Sequence, residues 1–521
     1  MQAVRCLAAT PKVVEIEFGP SGLKSLRSGG QEFLERGEFL VNSATFMDRT
    51  GQTFNGAADH TVAVDQSDNR ERLSYAWGTI SIQYRVAADV LILNIDISNE
   101  AKAEIKSLSL DALALRLPQP PKEYNGVEPL LGTNVGAPTI LPLTFGNESV
   151  VLCNQDVRRP LLIGFPWALD SPKRTIFPLR INTGRDPMYP ASLPAINRPI
   201  APGGNDRFSL SLRFAASSAQ PQTVYGDLLN AFRKRYPFDL RWPDHRAIAS
   251  LIIGTAAAHW PGNPRGWFLD PKLDVMSPAG MAAFQTRLIA WADRSIAILK
   301  KMDAQGMITW DIEGERFPHP VTYVGDPSLA EALAPEMEGV IDEYFKRFVR
   351  AGLRVGVTIR PQSFTIGQNG APSQQMEIPD DTAADELIRK ITYAKTRWGA
   401  TLFYIYSNGD AVNPLSADVI AKVADAFPDV LLIPEHKNLA YYAKSAPYSE
   451  LRGSFAATPS LVAEVYPRAF SVINTADGPI DKSYSELIEA VRRGDILMFR
   501  GWFDDPANTK VKAIYAKASG R

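Results

Sequence analysis

The chain has 521 residues, 45% of them hydrophobic and 22% charged, which is material for about two or three globular cores. The formal net charge of −1 excludes a general electrostatic pull toward nucleic acid or anionic membrane. Two cysteines, Cys6 and Cys153, exclude a disulfide scaffold and a four-thiolate zinc site, and no apolar run reaches the ~18 residues of a spanning helix.

The first residues, "MQAVRCLAATPKVVEIEFG", pass straight into strand-like alternation without the apolar stretch of a signal peptide. A cytoplasmic location is the expectation for the chain as it stands. Period-two patterns then dominate. "TISIQYRV", "VLILNIDIS" and "IKSLSLDALALRL" alternate, and "RFSLSLRF" sets Phe208, Leu210, Leu212 and Phe214 on one face against Arg207, Ser209, Ser211 and Arg213. One buried face and one hydrated face suit an antiparallel β-sandwich over residues 1–215. "ASSAQPQ" begins a linker with one helix, whose Leu228, Leu229, Phe232 and Tyr236 recur at helical spacing, and the linker spans 216–245.

From 246 to 521 strands alternate with helices. "AIASLIIG", "GMITWDIEG", "LRVGVTIRP", "TLFYIYSN", "DVLLIPEH", "RGSFAAT", "RAFSVIN" and "DILMFRGW" read as eight strands, with helical patterns such as "GMAAFQTRLIAWADRSIAILKK" and "DDTAADELIRKITYAKTRWG" between them. This predicts a (β/α)₈ barrel of TIM type. No Gly-rich phosphate turn follows the first strand, and the five histidines show neither HxH nor HExxH spacing, so no cofactor and no metal is expected.

Function in such a barrel collects where the strands end. Alternation on the second strand assigns Ile308, Trp310 and Ile312 to the helix layer and Thr309, Asp311 and Glu313 to the barrel side. Arg360 ends the third strand. Tyr404, Tyr406 and Asn408 face inward on the fourth, with Asp410 in the loop beyond. Glu435 and His436 end the fifth, and Asp477 follows the seventh. Trp502 follows the eighth, where Asp504 and Asp505 read as a solvated turn, and Trp267 lies in the first top-side loop. Acids, an arginine and aromatic faces around one mouth suit a carbohydrate partner. Glycosidic cleavage needs one carboxylic acid to protonate the leaving oxygen and a second carboxylate to attack C1 or activate water.

The segments "ITWDIEGE" and "WGATLFYIYSNGD" resemble the second- and fourth-strand segments of the α-glucosidase/α-galactosidase superfamily of glycoside hydrolases. The resemblance implies a large N-terminal sandwich (supersandwich-like) before a catalytic barrel. It also implies a sugar-binding role for Asp311 and a nucleophile at the position held here by Tyr406, with Asp410 four residues later. The superfamily's acid follows the sixth strand, where "RGSFAAT" offers none, while Glu435 resembles the acid placement of α-amylase-type barrels. The expected function is a glycoside hydrolase with Glu435 as general acid and Asp410 as nucleophile or base. Substrate contacts are expected from Asp311, Glu313, Arg360, Tyr404, Tyr406, His436, Asp477, Trp502 and Trp267. Two other classes compete: a carbohydrate-binding pseudoenzyme lacking the pair, and a cation-dependent isomerase or lyase using the same acids.

Overall fold

The computed structural model of the protein describes residues 13–122, 130–131, 140–159, 161–165, 173–184, 196–255, 258–268, 270, 272–315, 323–366, 372–375, 378–409, 414–451, 457–476 and 478–520. The chain divides into two compact units, Met1–Arg235 and Tyr236–Arg521.

The first unit is built from two seven-stranded antiparallel sheets and a three-stranded sheet. Its alternation works as the sequence reads. In the ladder between Val90–Asn99 and Asn205–Ala216, Leu91 faces Leu212, Leu93 faces Leu210 and Ile95 faces Phe208. These side chains are buried, and Leu110, Phe177 and Ile181 of the other large sheet share their core. Asp96 opposes Arg207 on the outer face and accepts its Nη2 at 3.0 Å. The strand Glu104–Arg116 departs from the expected pattern. Every residue from Leu108 to Leu115 is buried, because neighbours on both sides and layers on both faces enclose it. Its one buried charge, Asp111, accepts Arg180 Nε at 2.7 Å and Nη2 at 3.2 Å, which compensates the desolvated carboxylate. The helix α1 (Pro221–Arg235) packs Leu228 against Val151 and Cys153, and Arg213 grips Asp227 at 2.6 and 2.9 Å. Burial pushes the free Cys153 thiol up to about 12, which makes it inert packing; Cys6 lies outside the described residues.

The second unit is a nearly closed barrel of eight parallel strands. They are β1 (Ile248–Ile252), β2 (Gly306–Trp310), β3 (Arg354–Ile359), β4 (Leu402–Ile405), β5 (Leu431–Pro434), β6 (Tyr448–Glu450), β7 (Val472–Asn474) and β8 (Ile496–Arg500). Hydrogen-bonded neighbours run 5-4-3-2-1-8-7-6. At the remaining seam, Ala446 N donates to Leu432 O at 3.0 Å. The outer helices are α2 (Pro278–Lys301), α3 (Ile341–Arg350), α4 (Asp380–Trp398), α5 (Ala417–Ala426), α6 (Ser460–Val465), α7 (Tyr484–Arg492) and α8 (Pro506–Ala518). The barrel interior is one cluster of Ile248, Ile308, Leu402, Tyr404, Leu431, Ile433, Tyr448, Val472, Ile496 and Met498, closed below by Trp242. Trp242 is held there by its indole bond to Gln305 (3.1 Å) and by the Arg354 guanidinium 4.6 Å from its ring.

Two sequence expectations are corrected here. The sixth strand is Tyr448–Glu450, paired with β7, and not "RGSFAAT", of which residues 452–456 lie outside the described residues. Tyr448–Glu450 sits inside a stretch that reads as helical, but only a 3₁₀ segment (Leu439–Ala443) forms, and Pro447 bars a helix from continuing. The facing of β2 is also reversed. Ile308 and Trp310 belong to the interior cluster, whereas Thr309 meets Tyr344 of α3 at 3.0 Å in the helix layer. A parallel barrel strand is buried on both faces, so its pattern carries the period but not the phase.

Candidate active site at the barrel mouth

The mouth begins where β2 stops. Asp311 takes φ +53° and Gly314 φ +77°, and Gly314 N donates to Asp311 O at 2.8 Å, so the chain turns sharply over 311–314. A non-glycine residue at positive φ costs about 1–3 kcal/mol, a strain that recurs at working sites. The turn overrides strand alternation and separates two acids expected on one face. Asp311 lies within electrostatic reach of Glu315, Glu313 and Arg360. Glu313 lies toward Asp326 and Lys390. Asp311 is 1% and Glu313 0% exposed, and Asp311 Oδ1 and both Glu313 oxygens lack a hydrogen-bond partner among the described residues. Burial, reinforced by Glu315 and Glu313, pushes the Asp311 carboxyl well above the usual range, with Arg360 opposing. Burial likewise raises Glu313 and Glu315 to about 7. The N–H groups of Glu313 and Asp326 lower the Glu313 value without completing a hydrogen bond to it.

Four aromatic side chains close a ring, one of which, Tyr323, lies within electrostatic reach of Asp311 and Glu315. Trp310 meets Tyr404 with centroids 4.5 Å apart, Tyr404 meets Tyr406 at 6.2 Å, Tyr406 meets Tyr323 at 5.2 Å, and Tyr323 returns to Trp310 at 6.3 Å. Arg360 stacks on Tyr406 with its guanidinium carbon 4.4 Å from the ring centroid. Burial first, then Glu435, pushes the Tyr406 phenol up, while Arg360 holds it back.

The ends of β3, β4 and β5 are stitched together by hydrogen bonds. Lys390 of α4, fully buried, donates to Arg360 O and Gln362 O, both at 2.8 Å. Gln362 Nε2 donates to Ser407 O at 2.9 Å, and Ser407 N donates to Glu435 Oε2 at 2.7 Å. Ser407 takes φ +51°, which turns its N–H toward that carboxylate. Asn408 completes the seam, accepting from His436 N at 2.9 Å and donating to His436 O at 3.2 Å. Glu435 and His436 are half-buried, their side chains 3.8 Å apart. Asp410 lies outside the described residues.

Beside β5 at the seam, β6 ends in Glu450, which accepts from Tyr448 OH at 3.0 Å, and Asn474 of β7 donates to the same hydroxyl at 2.8 Å. Tyr448 packs edge-on against Tyr404 at 5.0 Å. Glu450 and Glu435 both lie within electrostatic reach of Tyr404. Lys437 donates to Ser449 Oγ at 2.9 Å. Beyond β8, Asp505 accepts from Ala507 N at 2.9 Å, which caps α8, and Asp504 is exposed. Trp502 is 9% exposed and packs on Phe503. Asp477 lies outside the described residues. Trp267 is corrected: it is fully buried, packs on Phe284 at 5.2 Å and donates its indole N–H to Glu336, so no face is left for a sugar.

Four residues of this mouth escape the sequence reading. Trp310 is assigned to the wrong layer and Tyr448 and Glu450 are hidden in a helix-like stretch. Tyr323 stands in a loop without periodicity. Only Glu450 leaves a usable signal, as an acid three residues after Pro447.

No protein-family model matches the sequence, and no curated protein matches it. Among solved structures, the chain is similar to α-N-acetylgalactosaminidase NagBb from Bifidobacterium bifidum at 10% identity and TM-score 0.48, over 98% of this chain and 92% of that one. It is similar to the GH36 α-galactosidase AgaB from Geobacillus stearothermophilus at 10% identity and TM-score 0.40, over 99% and 75%. A galactose mutarotase-like protein from Lactobacillus casei matches 39% of this chain and 97% of its own at 14% identity and TM-score 0.27. At these identities and scores, function rests on the site's own residues.

Proposed function

We propose that this chain is a glycoside hydrolase of the α-glucosidase/α-galactosidase type, its second unit a TIM-type (β/α)₈ barrel acting on an oligosaccharide or glycoside. One observation carries the reading. Carboxylates from separate strand ends (Asp311 after β2, Glu435 after β5 and Glu450 on β6) lie within electrostatic reach of a single ring of four aromatic side chains. Aromatic faces hold the apolar faces of a pyranose, and carboxylates from different strands can stand on either side of its C1. Asp311 binds sugar hydroxyls, and Arg360, held by Lys390, orients a substrate oxygen. Glu435 acts as general acid through Oε1, because Oε2 is committed to Ser407 N. Asp410 is its partner, attacking C1 or activating water. His436, Asp477 and Trp502 complete the rim.

A second assignment of the pair is favoured by Glu450, which ends β6 and takes a hydrogen bond from Tyr448. There Glu450 is the acid and Glu435 the second carboxylate. A panel of chromogenic glycosides of both anomers, with Asp410→Ala, Glu435→Ala and Glu450→Ala, tests the whole reading. Turnover lost in Asp410→Ala and restored by azide supports the first pair. The same result in Glu435→Ala, with Asp410→Ala active, supports the second. Wild-type protein that binds sugars but cleaves none of the panel removes the hydrolase reading.

A further inference from the structure

Among the described residues, the charges at the mouth do not balance. Asp311 and Glu315 are 1% and 5% exposed, and Asp311 Oδ1 has no hydrogen-bond partner among the described residues. The cation that faces Asp311 is Arg360, and the same guanidinium also faces Tyr406 and Glu435. Glu435 has Ser407 N besides, and Glu313 turns away toward Lys390. Among the described residues, Asp311 and Glu315 are therefore left with a share of one positive charge. Tyr323, which stands in the aromatic ring, lies within electrostatic reach of both. Buried carboxylates beside a ring of aromatic faces are the chemistry that holds an organic cation, since the ring faces carry negative quadrupole density and the carboxylates carry charge. A metal ion fits less well: no group of three or more acids, histidines or cysteines among the described residues converges to hold one.

We propose that this mouth selects a glycoside whose sugar carries a protonated amine, bound between the Asp311–Glu315 pair and the Trp310–Tyr323–Tyr406–Tyr404 ring. The inference rests on the carbohydrate reading above and names the substrate class. A hydroxyl satisfies an acceptor but brings no charge, so a neutral sugar leaves the two acids to be neutralised by protons. An ammonium group replaces those protons. Its binding near pH 6, where Glu315, raised to about 7, still holds its proton, therefore releases a proton to the buffer, and a neutral sugar does not.

Calorimetry on the full chain tests this with D-glucosamine, D-galactosamine and D-mannosamine, each beside its N-acetyl derivative and its parent hexose. Titrations are made at about pH 6 in two buffers of different ionisation enthalpy. At least one amine is expected to bind about tenfold or more tightly than its parent and N-acetyl forms, a difference of ~1.4 kcal/mol, with net proton release. In Glu315→Gln and in Asp311→Asn, the ratio of amine to parent affinity falls toward one and the proton release shrinks. Using both variants covers the case in which one fails to fold. Parent or N-acetyl sugars that bind as well as every amine, or an amine preference that survives in a folded variant, overturn the inference and leave the carbohydrate reading standing. If none of the sugars binds, the inference falls, and the glycoside panel decides the carbohydrate reading.

Discussion

Asp311 is the residue on which most of the site depends, because its backbone turn aims it and its burial makes each hydrogen bond count. Asp311→Ala is expected to remove roughly 2–4 kcal/mol of transition-state stabilisation, read as kcat/KM on whichever glycoside the panel identifies. Near-normal kcat/KM in Asp311→Asn would reduce it to a turn residue. A second prediction concerns Glu71 in the first unit, 4% exposed, which accepts from Leu23 N at 3.2 Å. Burial pushes this carboxyl up to about 7, with the Leu23 N–H opposing and Glu38 adding. The folded chain therefore holds a proton that the unfolded chain has already lost between about pH 4.5 and 7, and stability falls as pH rises through that window. The penalty levels off above pH 7 at up to about 3 kcal/mol. Glu71→Gln should flatten this part of the denaturation profile and leave the acid side unchanged; an unaltered slope would show that the carboxylate is solvated.

Element ends, rather than element interiors, form the mouth. The end of β3 is fixed from behind by one buried ammonium group on α4, and the ends of β4 and β5 by backbone groups of Ser407 and His436. Burial lowers Lys390 to about 8, and the nearby carboxylates of Asp326, Glu386 and Glu313 work against that. Lys390→Met keeps the volume but leaves two carbonyls without their donor and removes the cation that Glu313 faces, while Asp326 keeps its ion pair with Arg389. A loss of about 2–4 kcal/mol in urea denaturation is expected, with kcat/KM falling through the displaced Arg360. Stability within experimental error of wild type would mean that the clamp carries no load. The same element ends are where the sequence was hardest to read. β6 has three residues, too few to show a period, and β2 is apolar on both faces.

For the whole molecule, we propose that the chain is cut most easily where the sandwich pattern ends. Residues 217–223 are largely exposed, α1 is packed within the first unit, and Trp242 belongs to the core of the second. Limited proteolysis should cleave first near residues 216–224 and give two fragments that resist further digestion. Early cleavage inside 1–215 or inside 246–521 would contradict the proposed division into 1–215, a connector over 216–245, and 246–521. Catalysis without a transition metal is the companion expectation. Activity lost on dialysis against a chelator and restored by zinc or manganese would move the reading to the cation-dependent isomerase or lyase class.

The sequence alone determined what depends on local periodicity and composition. The antiparallel ladders over Val90–Asn99 and Asn205–Ala216, the parallel strands with their helices, and inward-facing Tyr404 and Tyr406 all follow from side chains that must alternate between water and core. It also placed Asp311, Arg360, Glu435 and His436 at strand ends. Tertiary structure decided what depends on phase, turns and long-range neighbours. Which face of β2 meets the barrel axis, where β6 lies, that Trp267 is core, and that Asp311 and Glu313 part company at a positive-φ turn are set by packing partners distant in sequence. Period is a property of neighbouring residues, whereas phase and direction are fixed only when the sheet closes and each strand end meets the loop beside it.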